Sequence, residues 1–260
     1  MRMGQPCFNI FPPTSKILKR KLSTITSTVY RGTEFEKRSL KILHDNMSMS
    51  LRRVGGKSDG GIDLLGWWWL PENSLLESNL PRRRFRIIAQ CKAEKKKTSP
   101  KYVREMEGVL HRYISLERGG SIPTTPTMPP NGAFHSPQYP LVALLISESP
   151  FTKSTILRAQ SSPVPFFLLH IPPRPDTSDV SDDEQGDRVG SAVWNPALAG
   201  VRGLLGGKME IRWERAPGSS GRPGLWWHGQ KLRSWTPGFE GEELSLTAED
   251  AFFNGLAQEP

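Results

Sequence analysis

A chain of 260 residues with 36% hydrophobic side chains is long enough for one sizeable core, while 23 prolines and 24 glycines leave room for irregular pieces without making the whole chain disordered. The net charge of +9 is uneven: residues 1–33 hold six basic residues (Arg2, Lys16, Lys19, Arg20, Lys21, Arg31) and no acid, so the remainder is close to neutral and is not a surface coated for DNA throughout. Two cysteines (Cys7, Cys91) exclude a disulfide framework and a CxxC zinc site, five scattered histidines lack zinc-ligand spacing, and no apolar run approaches the length of a membrane span, so no membrane insertion is expected.

In chain order, residues 1–29 are basic, acid-free and rich in Ser and Thr, the composition of a mitochondrial transit peptide. A disordered basic tail has the same composition; the expected localisation is mitochondrial. From Thr33 to His44, Glu36, Leu40 and Leu43 fall on one helical face, with Phe35 and Ile42 beside it. A short segment at Met49–Val54 precedes Gly55-Gly56-Lys57-Ser58-Asp59-Gly60-Gly61, which must turn. Ile62–Leu70, with Trp67, Trp68 and Trp69, reads as a buried strand, residues 71–83 as a polar connection, and Phe85–Ala93 as a second strand antiparallel to the first. Ser99 and Pro100 suit an N-cap and a first helical position, and Val103, Met106, Leu110, Tyr113 and Ile114 continue the helical rhythm to Gly119.

Residues 119–140 contain six prolines and read as a disordered insertion. Leu141–Ile146 is a buried strand, Thr152–Gln160 a short helix and Pro165–Ile171 a last strand. Residues 176–190 form an acidic linker, with six acids between Asp176 and Asp187, and 191–260 a C-terminal extension whose Met209–Arg215 and Leu225–Arg233 suggest a β-hairpin. The order over 30–175 is α-β-β-β-α-β-α-β, a single α/β core with a mixed sheet flanked by helices.

Chemistry concentrates on the first antiparallel pair. Asp63 opens one strand, and Gln90 and Lys92 close its partner, two residues apart and therefore on one face. A carboxylate, a second oxygen donor and a lysine are what metal-assisted phosphodiester hydrolysis requires: Asp63 and Gln90 would hold Mg²⁺ (or Mn²⁺), and Lys92 would position the attacking water or neutralise developing charge. Glu36 would add a carboxylate if its helix packs on this pair. Simpler roles exist for each residue: Asp63 closing the glycine turn, Lys92 heading a solvated lysine run, Glu36 exposed near a helix N-terminus. Ten basic residues and one acid between 81 and 104 bracket the cluster, with Arg82, Arg83 and Arg84 before it and Lys95, Lys96 and Lys97 after it, as a phosphate-binding surface would. Lysines guarding a strand edge are the alternative. The tryptophans, Trp213, Trp226 and Trp227 included, read as core packing rather than base stacking, and Cys91 as a small core residue.

Glu36, the run Gly55–Leu64 and Gln90-Cys91-Lys92 resemble the restriction-endonuclease-like PD-(D/E)xK superfamily, in its Mrr-like branch, where glutamine commonly replaces the second acid. The stretch Ser147–Ile171 resembles the strand-helix-strand that closes that domain, and with its basic leader and tryptophan-bearing C-terminal extension the whole is similar to a fungal mitochondrial family named for a requirement in respiratory growth. The resemblance implies a restriction-endonuclease-like core and Mg²⁺-dependent hydrolysis of DNA in support of respiratory growth. It assigns Asp63, Gln90 and Glu36 to the metal and Lys92 to catalysis. Gln90 departs from the acidic form of the motif and lowers the negative charge available to a metal. The alternative is a non-catalytic nucleic-acid-binding protein that keeps the nuclease fold.

Overall fold

A computed structural model describes residues 28–54, 61–72, 82–119, 139–174, 189–214 and 222–237. Nearly all of the expected leader, of the glycine turn and of the proline-rich insertion, and most of the acidic linker, lie outside the described residues; the last two leader residues, Thr28 and Val29, belong to a helix.

Helix α1 (Thr28–Met47) buries Phe35, Ile42, Leu43 and Met47, which recur at helical spacing along one side. Strands β1 (Met49–Arg53), β2 (Leu64–Pro71) and β3 (Arg82–Lys92) follow as an antiparallel meander. Helix α2 (Pro100–Gly119) then carries the chain back, so that β4 (Leu141–Ser147) runs parallel to β3, and α3 (Lys153–Gln160) does the same for β5 (Phe166–His170). Parallel neighbours need such crossovers, which is why β4 and β5 are each preceded by a helix. The observed order from α1 to β5 is α-β-β-β-α-β-α-β, in a mixed sheet with helices on both sides.

The sheet separates two apolar layers. Val142, Leu144 and Ile146 of β4 face the α1 side with Ile87, Ala89 and Trp68, whereas Ala143 and Leu145 face α2 and α3 with Ile88, Val103 and Met106. Burial on both faces explains why β4 is apolar at six of its seven positions instead of alternating. Of the three consecutive tryptophans only Trp68 enters the core, stacked on Phe167 at 6.1 Å; Trp67 and Trp69 point to the other face and are half-buried.

One strand was not expected. β6 (Ser191–Trp194) adds antiparallel to β5 and completes the order β1-β2-β3-β4-β5-β6. The next residue, Asn195, is 1% exposed and joins three elements. Its Oδ1 accepts from Phe166 N and from Leu198 N, capping α4 (Pro196–Ala199), while its Nδ2 reaches the carbonyls of Ala159, Ser162 and Val164. The expected C-terminal hairpin is a three-stranded sheet of β7 (Met209–Glu214), β8 (Arg222–Trp227) and β9 (Gln230–Lys231). His228 and Gly229 both have positive φ (49° and 76°), the conformation that reverses a chain in two residues, so the single strand expected over 225–233 folds into two. Trp213 is 57% exposed and is not the core residue expected, although it shares a face of β7 with Met209 and Ile211, which pack against the core.

Candidate active site

Asp63 lies one residue before β2. In the β2–β3 register Leu64 pairs with Ala89, so the next position sets Asp63 beside Gln90. The regular ladder stops there. Asp63 N–H donates to the Ala89 carbonyl at 2.9 Å, and the Asp63 carbonyl accepts from Val54 N–H of the β1 side at 3.0 Å. The carboxylate takes the place of a strand carbonyl: Oδ2 accepts the Cys91 N–H at 2.6 Å. Asp63 is thus fixed to the partner strand rather than only to its own turn. Gly61, at the end of that turn, has φ 86°, a conformation L-residues rarely adopt, and it faces the Gln90 amide: a Cβ there would stand 3.5 Å from Gln90 Nε2.

Gln90 is 5% exposed, and its buried Oε1 has no hydrogen-bond partner among the described residues. Such an atom is unfavourable unless something else satisfies it. Alternation puts Gln90 and Lys92 on the α2 side and Cys91 on the α1 side. Lys92 Nζ lies 4.9 Å from the centre of the Tyr102 ring in the first turn of α2, and Lys101 Nζ lies 5.1 Å from that same ring. Tyr102 O–H donates to Glu94, and burial first, then this bond, push its hydroxyl up to about 12. It therefore stays a neutral ring beneath two ammonium groups at physiological pH.

Glu36 arrives from α1 and accepts a hydrogen bond from Arg53 Nε at 2.6 Å, as one half of an ion pair at the end of β1. Asp63 and Glu36 converge on Cys91, whose thiol is pushed well above its ordinary value, first by burial, then by the Asp63 and Glu36 carboxylates. A thiol held neutral in this way is unreactive.

Among the described residues, no group of three or more His, Cys, Asp or Glu stands together in a metal-holding arrangement. The oxygen set here is different: Asp63 and the orphaned Gln90 Oε1 are hard donors of the type Mg²⁺ takes, whereas Glu36 is engaged by Arg53. Asp63 and Gln90 fit a divalent cation in type and position; Glu36 fits only if Arg53 releases it.

The two basic groups separate. Lys95, Lys96 and Lys97 are exposed in the turn just after Lys92. Arg82, Arg83 and Arg84 are at the other end of β3, where eight residues put Arg84 about 26 Å from Lys92. One straight strand cannot bring both groups to one cluster. These arginines stack on aromatic rings: Arg82 over Trp235 at 4.5 Å, Arg83 over Phe85 at 4.9 Å, and Arg84 over Tyr139 at 4.3 Å and Trp67 at 4.8 Å. Arg86 covers Trp67 at 4.7 Å and is itself 5% exposed. Sequence reading missed Tyr102, since nothing local signals that the α2 start will fold back over the end of β3. The ends of β3 and of its parallel neighbour β4 are joined at that point by Glu148 N–H donating to the Lys92 carbonyl at 3.0 Å.

A family model described as Required for respiratory growth protein 7 matches residues 27–85 and 77–124, a span that contains Glu36, Asp63, Gln90, Lys92 and both basic groups. The chain is 38% identical over 88 residues to an uncharacterized mitochondrial protein of Schizosaccharomyces pombe, covering 34% of this chain and 32% of that one. It is 25% identical over 193 residues to Required for respiratory growth protein 7, mitochondrial, of Saccharomyces cerevisiae, covering 62% of this chain and 72% of the relative. To the protein of the same name in Vanderwaltozyma polyspora it is 28% identical over 134 residues, with 39% and 54% covered. The chain thus spans about a third of the fission-yeast relative and under three quarters of the budding-yeast one. No solved structure matches. The relatives in both yeasts are named mitochondrial, and the protein is assigned to the mitochondrion on that ground. Among the described residues, no helix is long and apolar enough to cross a membrane.

Proposed function

We propose that this is a mitochondrial, Mg²⁺-dependent nuclease-like protein of the restriction-endonuclease-like, Mrr-type group, hydrolysing phosphodiester bonds of DNA in support of respiratory growth. The observation that carries this reading is the meeting of Asp63, Lys92 and the buried Gln90 Oε1, which has no hydrogen-bond partner among the described residues, at one end of β2 and β3. Asp63 and Gln90 would hold the cation, with Glu36 joining on release from Arg53. When bound, Mg²⁺ supplies Lewis-acid polarisation of the phosphate and acidifies a coordinated water. The protein's own contribution is placement. Asp63 is pinned by Cys91 N–H, Gln90 is confined by burial, and Lys92 is kept beside Tyr102 as a charged group facing developing negative charge. Lys95, Lys96 and Lys97 would hold the flanking backbone.

The test combines the full chain with supercoiled and branched DNA, structured RNA, and Mg²⁺ or Mn²⁺. Asp63→Asn is the informative variant, since the amide oxygen still accepts from Cys91 N–H while the charge is lost. Metal-dependent strand breakage is expected to fall at least about a hundredfold in Asp63→Asn and in Lys92→Ala. Breakage equal to wild type in both variants overturns the assignment.

The glutamine at position 90 and the engagement of Glu36 by Arg53 favour a second reading, a nucleic-acid-binding protein without hydrolytic activity. In that case all substrates remain intact. Binding is salt-sensitive and equal in wild type and Asp63→Asn, and it weakens when Lys95, Lys96 and Lys97 are replaced together.

A further inference from the structure

The smaller sheet ends in an open edge. Its order is β7-β8-β9, so β7 has β8 on one side and, among the described residues, no strand on the other. His228 N–H donates to the Lys208 carbonyl at 2.8 Å, which places Lys208 among the residues whose backbone groups turn towards β8. Alternation continues that series through Glu210, Arg212 and Glu214, and it turns the N–H and C=O groups of Met209, Ile211 and Trp213 to the open side. The side chains alternate as well. Met209 and Ile211 pack on the core, and Trp213 on the same face is 57% exposed, while Glu210, Arg212 and Glu214 project from the outer face.

We infer that this edge joins a second copy of the chain, β7 against β7 about a two-fold axis at Ile211, in one continuous sheet running β9-β8-β7-β7-β8-β9. Antiparallel pairing requires open-side residues to face open-side residues, so the axis passes through a residue, and the charges decide which one. With the axis at Glu210, that carboxylate meets its own copy and Arg212 meets Lys208. With the axis at Arg212, guanidinium meets guanidinium and Glu210 meets Glu214. At Ile211, Glu210 stands opposite Arg212 of the second copy and Glu214 opposite its Lys208, and symmetry repeats each pair. No like charges then face each other. Within the strand, Arg212 already pairs with Glu210 at 2.8 Å, and Lys231 with Glu214 at 2.6 Å. The second copy extends these pairs into a network; it does not supply partners that were missing.

In this register Met209, Ile211 and Trp213 exchange about six N–H to carbonyl bonds with the same residues of the second copy. Trp213, exposed in the single chain, comes to lie opposite Met209 of the second copy. Charges on an edge strand ordinarily guard it against pairing. A guard of one sign repels every register, whereas these alternate in sign so that one register attracts. Strands of this length bury less than the roughly 1,200 Å² of a standard interface, so the dimer is reversible and not permanent. The inference does not depend on the hydrolytic reading, since β7 shares no residue with the Asp63–Gln90–Lys92 cluster.

The experiment is sedimentation of the full chain from about 1 to about 200 µM. Wild type is compared with Arg212→Glu, with Glu210→Arg and with an equimolar mixture of the two variants. The side chains of Arg212 and Glu210 are 45% and 49% exposed, so neither substitution threatens the fold. Wild type is expected to pass from monomer to dimer within this range, and less readily as salt is raised. Each variant sets like charges opposite each other twice and is expected to dimerise at least about tenfold more weakly. The mixture is expected to recover wild-type association, because glutamate at both positions of one chain then meets arginine at both positions of the other. Recovery on mixing cannot come from the ion pair within the strand, which each variant has lost. A wild type that stays monomeric over the whole range, variants that dimerise as wild type does, or a mixture that associates no better than its components overturns the inference.

Discussion

Gln90, buried, and His170, half-buried, lie at the same end of the sheet, each with an atom that has no hydrogen-bond partner among the described residues. For Gln90 that atom faces the candidate metal position. For His170 it has a consequence for stability. The ring sits against Gly190, where a Cβ would meet Nδ1 at 2.4 Å, and burial lowers its pKa below 6.5, opposed by a bond to the Glu148 backbone. The fold therefore favours the neutral ring. As pH falls below 6.5 the unfolded chain takes up the proton first, so this contribution is complete above that value and is lost on descending towards the folded-state value. Urea midpoints of the wild type should fall between about pH 7.5 and about pH 5, and His170→Gln should show a smaller fall over that interval. An equal fall in both proteins would place the pH response elsewhere.

At the scale of elements, the β1–β2 pair is held close by a glycine. A Cβ on Gly66 would stand 2.2 Å from the Ser50 carbonyl oxygen and 2.7 Å from Leu51 Cα, backbone atoms that cannot rotate aside. Gly66→Ala should cost about 3 kcal/mol, read as a lowered urea midpoint, because β1 must separate from β2 to accommodate it. An unchanged midpoint would mean that β1 is free to shift. The same strand pair shows what local sequence could convey. Alternation and antiparallel pairing put Asp63 beside Gln90 and Lys92 without tertiary information, whereas the distance from Arg82, Arg83 and Arg84 to that cluster depended on how far β3 extends. The helix start at Pro100 was legible in Ser99-Pro100, and Thr152, expected as the first residue of a helix, proves to be its N-cap, with Oγ1 accepting from Thr155 N. The reversal at His228-Gly229 carried a usable signal, since histidine tolerates positive φ better than most residues.

For the whole molecule, the C-terminal region is part of the core. Leu198, Leu205, Met209, Leu225, Trp227 and Leu232 belong to the same buried cluster as Phe35, Trp68 and Ile146. Side chains buried in this way contribute about 1.5–3 kcal/mol each, so the six together are comparable to the net stability of a domain, about 5–15 kcal/mol. The strap at Arg233–Thr236 adds polar ties: Ser48 N–H donates to Ser234 Oγ at 3.0 Å, and Trp235 N–H to Ser48 Oγ at 3.1 Å. A chain ended at residue 188 should therefore show no cooperative thermal transition, whereas one ended at residue 237 should melt as the full chain does. A cooperative melt of the shorter chain would show that the eight elements from α1 to β5 suffice.

Sequence alone determined the α/β order from α1 to β5 and the juxtaposition of Asp63, Gln90 and Lys92, because both follow from short-range periodicity and the pairing of adjacent strands. Tertiary structure decided the rest. It put Tyr102 under Lys92, drew Glu36 to Arg53, stacked Arg84 and Arg86 on Trp67, and added β6 to the sheet. Each of these joins segments distant in the chain, and no local spacing encodes which surfaces meet when two apolar layers close on one sheet.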